Sequence, residues 1–326
     1  MKVKAIGLLS GGLDGILAVK VVQDQDIHVE GVTFETPFFS AEKAREAARH
    51  INLPLSVMNI TEEYLIMLRA PRYGYGKNMN PCIDCHSMML RMAGRRMEET
   101  GADFIFTGEV LGQRPMSQTK QSLHVVAKNS GYEGHVLRPL SARLLGATVP
   151  EREGKVDRNR LLDIQGRSRK RQLAMAQHYG ITAYSTPAGG CLLTDSMFSK
   201  RLKDLFNHHG DEAVRDIELL KHGRHLRLNE EVKIVVGRHK GDNLAIYGLS
   251  LKQDVIIKMK DYPGPIVLIP YGCCDDVLET AASICAAYSD APGDREVTAA
   301  CHHPDGSIRL VPVMAARKED LQPLVI

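Results

Sequence analysis

No stretch of the 326-residue chain approaches the roughly 18 consecutive apolar residues that a membrane span requires. The start, Met1-Lys2-Val3-Lys4, runs straight into a β-like segment and lacks the shape of a secretory leader, so a cytoplasmic protein is expected. The pattern Gly-x-x-x-x-Gly-Lys-Ser/Thr does not occur, which excludes a Walker loop. Gly-x-Gly-x-x-Gly is missing too, which argues against a dinucleotide fingerprint. There is no internal repeat and no low-complexity segment. A disulfide framework does not suit a reducing compartment, so the seven cysteines point to metal binding or catalysis.

What remains is the pattern of a two-domain enzyme with a large core. Its most informative feature is Ser10-Gly11-Gly12-Leu13-Asp14-Gly15, directly after the apolar run Val3–Leu9. The order is strand, glycine turn, helix. A tight turn at a helix start aims several backbone N–H groups at one point, with the positive end of the helix dipole behind them, and so binds phosphate. Glycine lets the backbone approach the anion closely. Leu13, Ile16, Leu17, Val19 and Val21 follow with helical spacing.

The first half of the chain alternates strand and helix patterns. Val3–Leu9, His28–Phe34, Leu55–Ile60 and Phe104–Thr107 read as strands, and Leu13–Gln23, Ala41–Asn52, Glu62–Arg69, Cys85–Thr100 and Ser168–Tyr179 as helices. Such alternation predicts an α/β fold, a doubly wound parallel sheet with helices on both faces. Ligands of these sheets sit at the carboxyl ends of the strands, where the glycine turn, Phe34-Glu35-Thr36 and Thr107-Gly108-Glu109 all fall. Arg69–Pro81 reads as a long loop over the site, and Val149–Leu161 as a charged, mobile loop. The texture changes after Phe198. Leu202–Lys221 reads as helical, followed by β-like runs at Val232–Val236, Leu244–Leu249, Val255–Lys258 and Ile266–Ile269, a helix over Asp276–Tyr288 and a last strand over Ser307–Val313. We expect a first domain over 1–198 and a smaller α+β domain over 199–326. The net charge is +3, residues 1–200 carry the basic excess, and that excess concentrates between Arg143 and Arg171, as a polyanion partner would favour.

Pro81-Cys82-Ile83-Asp84-Cys85-His86 places two thiols three residues apart at or near a helix start, where the dipole favours thiolates. Ala188-Gly189-Gly190-Cys191 puts a third on a glycine turn that can approach them. Cys-x-x-Cys-His also spells a haem attachment site, but that chemistry belongs to exported chains. A zinc site would enlist His86 or a second-domain cysteine as a further ligand. A redox dithiol with Cys191 as persulfide carrier is another reading. The preferred one is a [4Fe–4S] cluster on Cys82, Cys85 and Cys191, whose three-thiolate ligation leaves one iron free for a substrate sulfide. Cys273, Cys274, Cys285 and Cys301 lack matching spacing and read as core or surface residues.

The run Ser10–Gly15 resembles the SGGxDS pyrophosphate loop of the PP-loop ATP pyrophosphatases, which include tRNA thiolation enzymes, GMP synthetase and asparagine synthetase. It departs from them at Gly15, where a hydroxyl residue is usual. Asn80-Pro81-Cys82 after a long loop, and Thr107-Gly108-Glu109 followed by Gly112-Gln113-Arg114-Pro115, resemble the tRNA thiouridylases of that group. Cys-x-x-Cys with one distant cysteine is similar to the cluster-dependent tRNA thiolases and archaeal 4-thiouridine synthetases. The resemblance spans about residues 1–195. Val232–Asp254, with Val-Gly-Arg-His-Lys-Gly-Asp-Asn, looks like the NFACT-R RNA-binding domain. No sign of a THUMP or rhodanese domain is present.

The resemblance implies a sheet of the HUP type and an ATP-dependent thiolation. AMP is transferred from ATP to a uracil carbonyl oxygen, pyrophosphate leaves, and a sulfide then displaces AMP. Ser10, Gly11, Gly12, Leu13, Asp14 and Gly15 would hold the phosphates, with Asp14 positioning Mg²⁺. Phe34 would border adenine, Gly108 would line the site, and Arg114 and Lys170 would stabilise phosphate charge. Cys82, Cys85 and Cys191 would handle the sulfur from a sulfide or persulfide donor. The partner would be tRNA, gripped by the Arg143–Arg171 stretch and the second domain. Two other functions fit the same residues: a PP-loop sulfur transferase acting on a small metabolite, and an RNA-binding protein with a decayed nucleotide site.

Overall fold

Strand β1 (Lys4–Leu8) is buried along Ala5-Ile6-Gly7, the mark of a central strand in a sheet covered on both faces. In the computed structural model, which describes residues 2–185, 191–208 and 213–326, β1 lies between β2 (His28–Glu35) and β4 (Phe104–Thr107) and runs parallel to both. The sheet is completed by β3 (Leu55–Asn59) and β5 (Val136–Leu137) in the order β3-β2-β1-β4-β5. This is the doubly wound parallel sheet predicted from the alternation of patterns. Winding reverses between β1 and β4, so the crevice beyond their carboxyl ends is the switch point where such sheets take ligands.

The helices of this unit are α1 (Leu13–Gln23), α2 (Glu42–His50), α3 (Thr61–Arg69), α4 (Cys82–Thr100), α5 (Lys120–Ser130), α6 (Val149–Arg152) and α7 (Lys170–His178). Helix α1 buries Leu13, Ile16, Leu17, Ala18, Val19, Val21 and Val22, and packs against α7. Helix α4 starts a turn earlier than its apolar periodicity indicates, because Pro81 at its N-cap ends the preceding loop. Helix α5 has no counterpart among the sequence expectations; Thr119 caps it, its hydroxyl accepting from the Ser122 N–H at 3.0 Å. The stretch expected as a mobile loop, Val149–Leu161, is instead pinned. Thr148 and Glu151 form a capping box around α6, and Arg158 pairs with Glu151.

The chain divides into compact units Met1–Thr194 and Asp195–Ile326. The second holds α8 (Ser196–His208), α9 (Val214–Leu219), β6 (Arg224–Arg227), β7 (Lys233–Val236), α10 (Lys240–Gly248), β8 (Val255–Met259), β9 (Val267–Ile269), α11 (Asp275–Ala287), β10 (Val297–His302), β11 (Ile308–Val313) and α12 (Lys318–Leu321). Its six strands form an antiparallel sheet in the order β11-β10-β8-β9-β7-β6, an α+β arrangement. One face packs on α11 through Ile234, Val255, Ile257, Val297, Ala299, Cys301, Leu278 and Cys285. On the other, α9 and α10 cover only β7, β9 and the start of β8, through Leu219, Ile246, Val235, Leu268 and Ile256.

Leu244–Leu249, expected as a strand, lies mostly in helix α10. The start signals outweigh the apolar run: His239 Nδ1 accepts from the Asp242 N–H, and the Asp242 carboxylate takes the Arg238 N–H. The helical reading of Leu202–Lys221 holds for α8 and α9; residues 209–212 between them lie outside the described residues. Among the described residues no helix is long and apolar enough to cross a membrane.

Candidate nucleotide and thiol site

The turn after β1 is built by glycine. Gly11 has φ +81°, and a Cβ there would stand 2.4 Å from the Lys43 carbonyl oxygen at the start of α2. Gly12 is the N-cap of α1, with no side chain capping it, so the first-turn N–H groups lack intrahelical partners. From the other side of the switch point comes Gly108, directly after β4. A Cβ on it would sit 2.5 Å from the Gly15 nitrogen and 2.7 Å from the Asp14 carbonyl oxygen. The segment after β4 is therefore in close backbone contact with the first turn of α1. Ser185 runs alongside, its N–H and hydroxyl both donating to the Gly11 carbonyl at 3.1 and 2.9 Å.

Asp14 stands in the first turn of α1. Its Oδ2 accepts from Gln113 Nε2 at 2.8 Å, and its Oδ1 is buried with no partner among the described residues. The carboxylate fixes the orientation of Gln113, whose oxygen must then face away. That oxygen accepts from Gln172 Nε2 at 3.5 Å, and Gln172 is wholly buried, its own Oε1 without a partner among the described residues. A buried acceptor without a donor is costly. Asp14 Oδ1 has the chemistry of a ligand for a hard cation, for which carboxylate, water and phosphate oxygens are the natural set.

A second polar group lies beyond β4. Glu109 Oε1 stands 3.0 Å from His86 Nδ1, while Oε2 accepts from Arg138 Nε at 3.0 Å and from the Thr107 hydroxyl at 3.1 Å. Burial alone would raise the Glu109 carboxyl, but the Arg138 guanidinium, with His86 and Thr107, outweighs it and holds the carboxyl down at about 2. Glu109 is thus a buried anion that orients His86, one turn along α4 from Cys82.

The three cysteines singled out by sequence come together. Cys82 and Cys85 are on the first turn of α4, and Cys82, Cys85 and Cys191 all lie within electrostatic reach of one another and of the buried Tyr64 hydroxyl, which is hydrogen-bonded to Cys85. Cys191 is brought in by its neighbours. Leu192 N–H donates to the Phe38 carbonyl at 3.1 Å, and Asn78 Nδ2 donates to the Thr194 carbonyl at 2.7 Å. Asn80 Nδ2 reaches the Cys82 sulfur at 3.2 Å. All three thiols are free. At Cys85 burial works against the helix start and pushes the thiol up despite the Tyr64 hydrogen bond. Burial also pushes Cys191 up, to about 11. Burial thus disfavours the thiolate at both, and a bound metal would have to displace their protons. Among the described residues no three His, Cys, Asp or Glu side chains are arranged to hold a single metal ion. The Ala188-Gly189-Gly190 part of the expected glycine turn lies outside the described residues.

The other expected site residues are distributed as follows. Ser10, Arg114 and Lys170 are exposed, and Lys170 opens α7. Leu13 is core, so only its backbone can face a ligand, and Phe34 is likewise buried within β2. Of the remaining cysteines, Cys285 and Cys301 are wholly buried in the second core, Cys273 is half-buried and Cys274 exposed. Sequence reasoning passed over Gln113, although it lies in a quoted motif. It also missed Gln172, His86 as the partner of Glu109, Arg138 and Tyr64.

Residues 1–143 match the family model described as Thiamine biosynthesis protein (ThiI), and residues 223–324 match that described as NFACT protein RNA binding domain. The resemblances read from the glycine turn and from Val232–Asp254 are borne out, each in its own unit. Similar solved structures include a 4-thiouridine synthetase in complex with RNA and bound ATP. It is 24% identical over 56% of this chain and 54% of that one, TM-score 0.35, so the present chain spans about half its length. Others are the C-terminal part of the fibronectin/fibrinogen-binding protein from Streptococcus suis and a predicted subunit of tRNA methyltransferase from Methanocaldococcus jannaschii. The first is 15% identical over 49% of this chain and 79% of that one, TM-score 0.30. The second is 11% identical over 54% and 76%, TM-score 0.35.

Proposed function

We propose that this protein is an ATP-dependent tRNA thiouridine synthetase. The observation that carries the reading is Asp14: a carboxylate at a glycine turn, held through one oxygen by Gln113 and offering the other, buried and without a partner among the described residues, at the switch point of the sheet. The match of residues 1–143 to a PP-loop family supports it. In this reading residues 1–198 carry the chemistry and 199–326 grip the RNA.

The phosphates of ATP lie against the backbone N–H groups of Ser10–Gly15 and beside Gly108, with Arg114 and Lys170 supplying positive charge from the surface. Phe34 contributes the buried wall below the adenine side. Asp14 Oδ1 holds Mg²⁺, which when bound neutralises phosphate charge. A uridine carbonyl oxygen attacks the α-phosphorus, the bond to the β-phosphate oxygen breaks, and pyrophosphate departs. The uracil carbon now bears AMP as leaving group. A sulfide takes the place of that oxygen, and AMP leaves with the bonding pair.

The thiol group fits a [4Fe–4S] cluster in kind: three free, largely enclosed cysteines in mutual reach, with no protein disulfide between them. Such a cluster on Cys82, Cys85 and Cys191, when bound, supplies an iron with an open position for sulfur. The residues around it do the positioning: Tyr64 donates to Cys85, Asn80 holds Cys82, and His86 is oriented by Glu109.

The test is nucleoside analysis of tRNA from cells lacking the gene, complemented with wild type or Asp14→Ala. Loss of a thiouridine, restored only by wild type, is expected. In vitro, Asp14→Ala should lower tRNA-dependent pyrophosphate release from ATP by about 100-fold or more while the protein remains folded by circular dichroism. A full complement of thionucleosides in the deletion strain overturns the RNA substrate, and undiminished pyrophosphate release in Asp14→Ala overturns the site.

A further inference from the structure

The antiparallel sheet of the second unit is covered unequally. Alternation puts Val255, Ile257, Val297, Ala299, Cys301, Val311 and Val313 on the α11 face. Their neighbours point the other way: Ile256 and Lys258 on β8, Thr298, Ala300 and His302 on β10, and Ile308, Leu310 and Pro312 on β11. The register pairs Lys258 with Ala300, Ala300 with Leu310, and His302 with both Ile256 and Ile308, so these residues form one continuous surface. Helices α9 and α10 stop at β8. Beyond it Ile308 and Leu310 are 59% and 51% exposed.

Helix α10 walls this open half. It carries Leu244 and Tyr247 outward at 64% and 54% exposure, three residues apart on one side of the helix. The Lys258 ammonium lies over the Tyr247 ring, 4.9 Å from its centroid, so the strand and the helix meet there. Lys258 stands on the floor, the exposed Lys260 follows just after β8, Lys240 opens α10, and no carboxylate occupies the strand positions of this face. Asp242, the acidic residue of α10, is buried and paired with Arg238.

We infer that this face, Tyr247 with Lys258 above the open strands β8, β10 and β11, is where single-stranded RNA bases stack. The inference rests on the reading of RNA as partner and assigns the surface that meets it. A flat strip three strands wide, roughly 10 Å across, accommodates a base. An exposed aromatic ring offers every base a stacking partner, and lysines that flank it track the phosphates. Leu310 and Ile308 extend the apolar floor. A cation held against the ring strengthens it as a platform.

The chain contains no tryptophan, which makes the test direct. Fluorescence anisotropy of a labelled 12-nucleotide oligouridylate and of a tRNA transcript would be titrated with the full-length protein. Tyr247→Ala should weaken the oligonucleotide by about tenfold or more. Tyr247→Phe should bind as wild type. Lys258→Met should weaken binding and flatten its dependence on salt by about one ion. In Tyr247→Trp the single indole should be quenched on adding the oligonucleotide. Circular dichroism melts of all four should match wild type, because the replaced side chains are on the surface. Wild-type binding with unchanged affinity in Tyr247→Ala and no quenching in Tyr247→Trp would overturn the surface alone, and leave its apolar residues to a protein partner. Failure of the wild-type protein to bind any RNA would overturn both the surface and the RNA reading on which it rests.

Discussion

Gln113 Nε2 donates to Asp14 Oδ2 across 2.8 Å, joining the turn after β1 to the segment after β4 although 99 residues separate them in the chain. The bond decides which carboxylate oxygen is engaged and which stays open. Gln113→Leu removes the only donor that the described residues offer Asp14 and leaves both oxygens unpaired in a half-buried place. We expect a loss of about 1–3 kcal/mol in stability, and weaker binding of ATP in the presence of Mg²⁺ than in its absence relative to wild type. Chemical unfolding and calorimetry with ATP, each with and without Mg²⁺, check this. Unchanged values in both would show the bond to be incidental.

Two glycines at the same place should respond oppositely. Gly108→Ala drives a methyl to 2.5 Å from the Gly15 nitrogen, a backbone atom that cannot move alone, so the end of β4 and the first turn of α1 must separate. Overpacking of this kind costs about 1–3 kcal/mol, and nucleotide binding should fall with it. Gly15→Ser meets the Leu9 Cδ1 at 3.4 Å and the Leu8 carbonyl oxygen at 3.8 Å, both ordinary contacts, in a helical residue with ordinary φ. It should stabilise the helix by about 0.5 kcal/mol and tighten ATP by restoring a hydroxyl to the turn. Melting temperatures and ATP affinities of the pair decide it, and a destabilised Gly15→Ser would contradict the geometry.

Glu109 makes the first unit sensitive to acid. Its carboxyl titrates at about 2 when folded against an ordinary 4.5, so between those values the unfolded chain binds the extra proton. The stabilisation is fully present above pH 4.5 and is lost as pH falls through about 2. Glu109→Gln should flatten the pH dependence of stability in that window, as followed by urea unfolding from pH 2 to 6. Arg138→Met, which strands the buried carboxylate, should cost about 3–5 kcal/mol at neutral pH. Parallel acid profiles for wild type and Glu109→Gln would refute the assignment.

Protein purified without oxygen should be brown and contain about four irons and four sulfides per chain if the cluster is filled. Cys82→Ala, Cys85→Ala or Cys191→Ala should each abolish the colour and the thiolation. Cys285→Ala and Cys301→Ala should keep both, because those thiols are packed in the second core away from any site. Iron and sulfide analysis with the visible spectrum provides the readout. A colourless preparation with full thiolation activity would exclude the cluster and move the chemistry to a persulfide on Cys191. Stoichiometric zinc without iron would make the site structural.

The parts of the fold that were legible in sequence are those whose signal is local. The first strand, the glycine turn and α1 were found at their true positions because periodicity and turn chemistry coincide there. The segment around Leu244–Leu249 misled, because Leu-Ala-Ile-Tyr-Gly-Leu has the continuous apolarity of a strand. Its helix is dictated by His239 and Asp242 upstream, and its outward Leu244 and Tyr247 break the amphipathic pattern. Strand β10, Val-Thr-Ala-Ala-Cys-His, escaped notice because half of its alternation is small or weakly polar. The site shows the same division. The glycines, Asp14 and the three cysteines announce themselves by spacing. Gln172, His86 and Arg138 do not, since each matters only through a partner far away in the chain.

That long reach governs how the first unit is made. Asp14 waits for Gln113, Gln113 for Gln172, and the Gly11 carbonyl for Ser185, 174 residues downstream of it. During synthesis the glycine turn emerges from the ribosome first among these, but its surroundings close only after Ser185 has followed. Parallel sheets acquire such non-local contacts slowly, and the unfinished edge of β1 is exposed in the interval. Nucleotide competence therefore comes late as this unit is born, with the arrival of Cys191 following it. Because ATP in this reading binds only the finished turn, cellular nucleotide would favour completed units over partial ones, drawing the nascent chain toward its folded end.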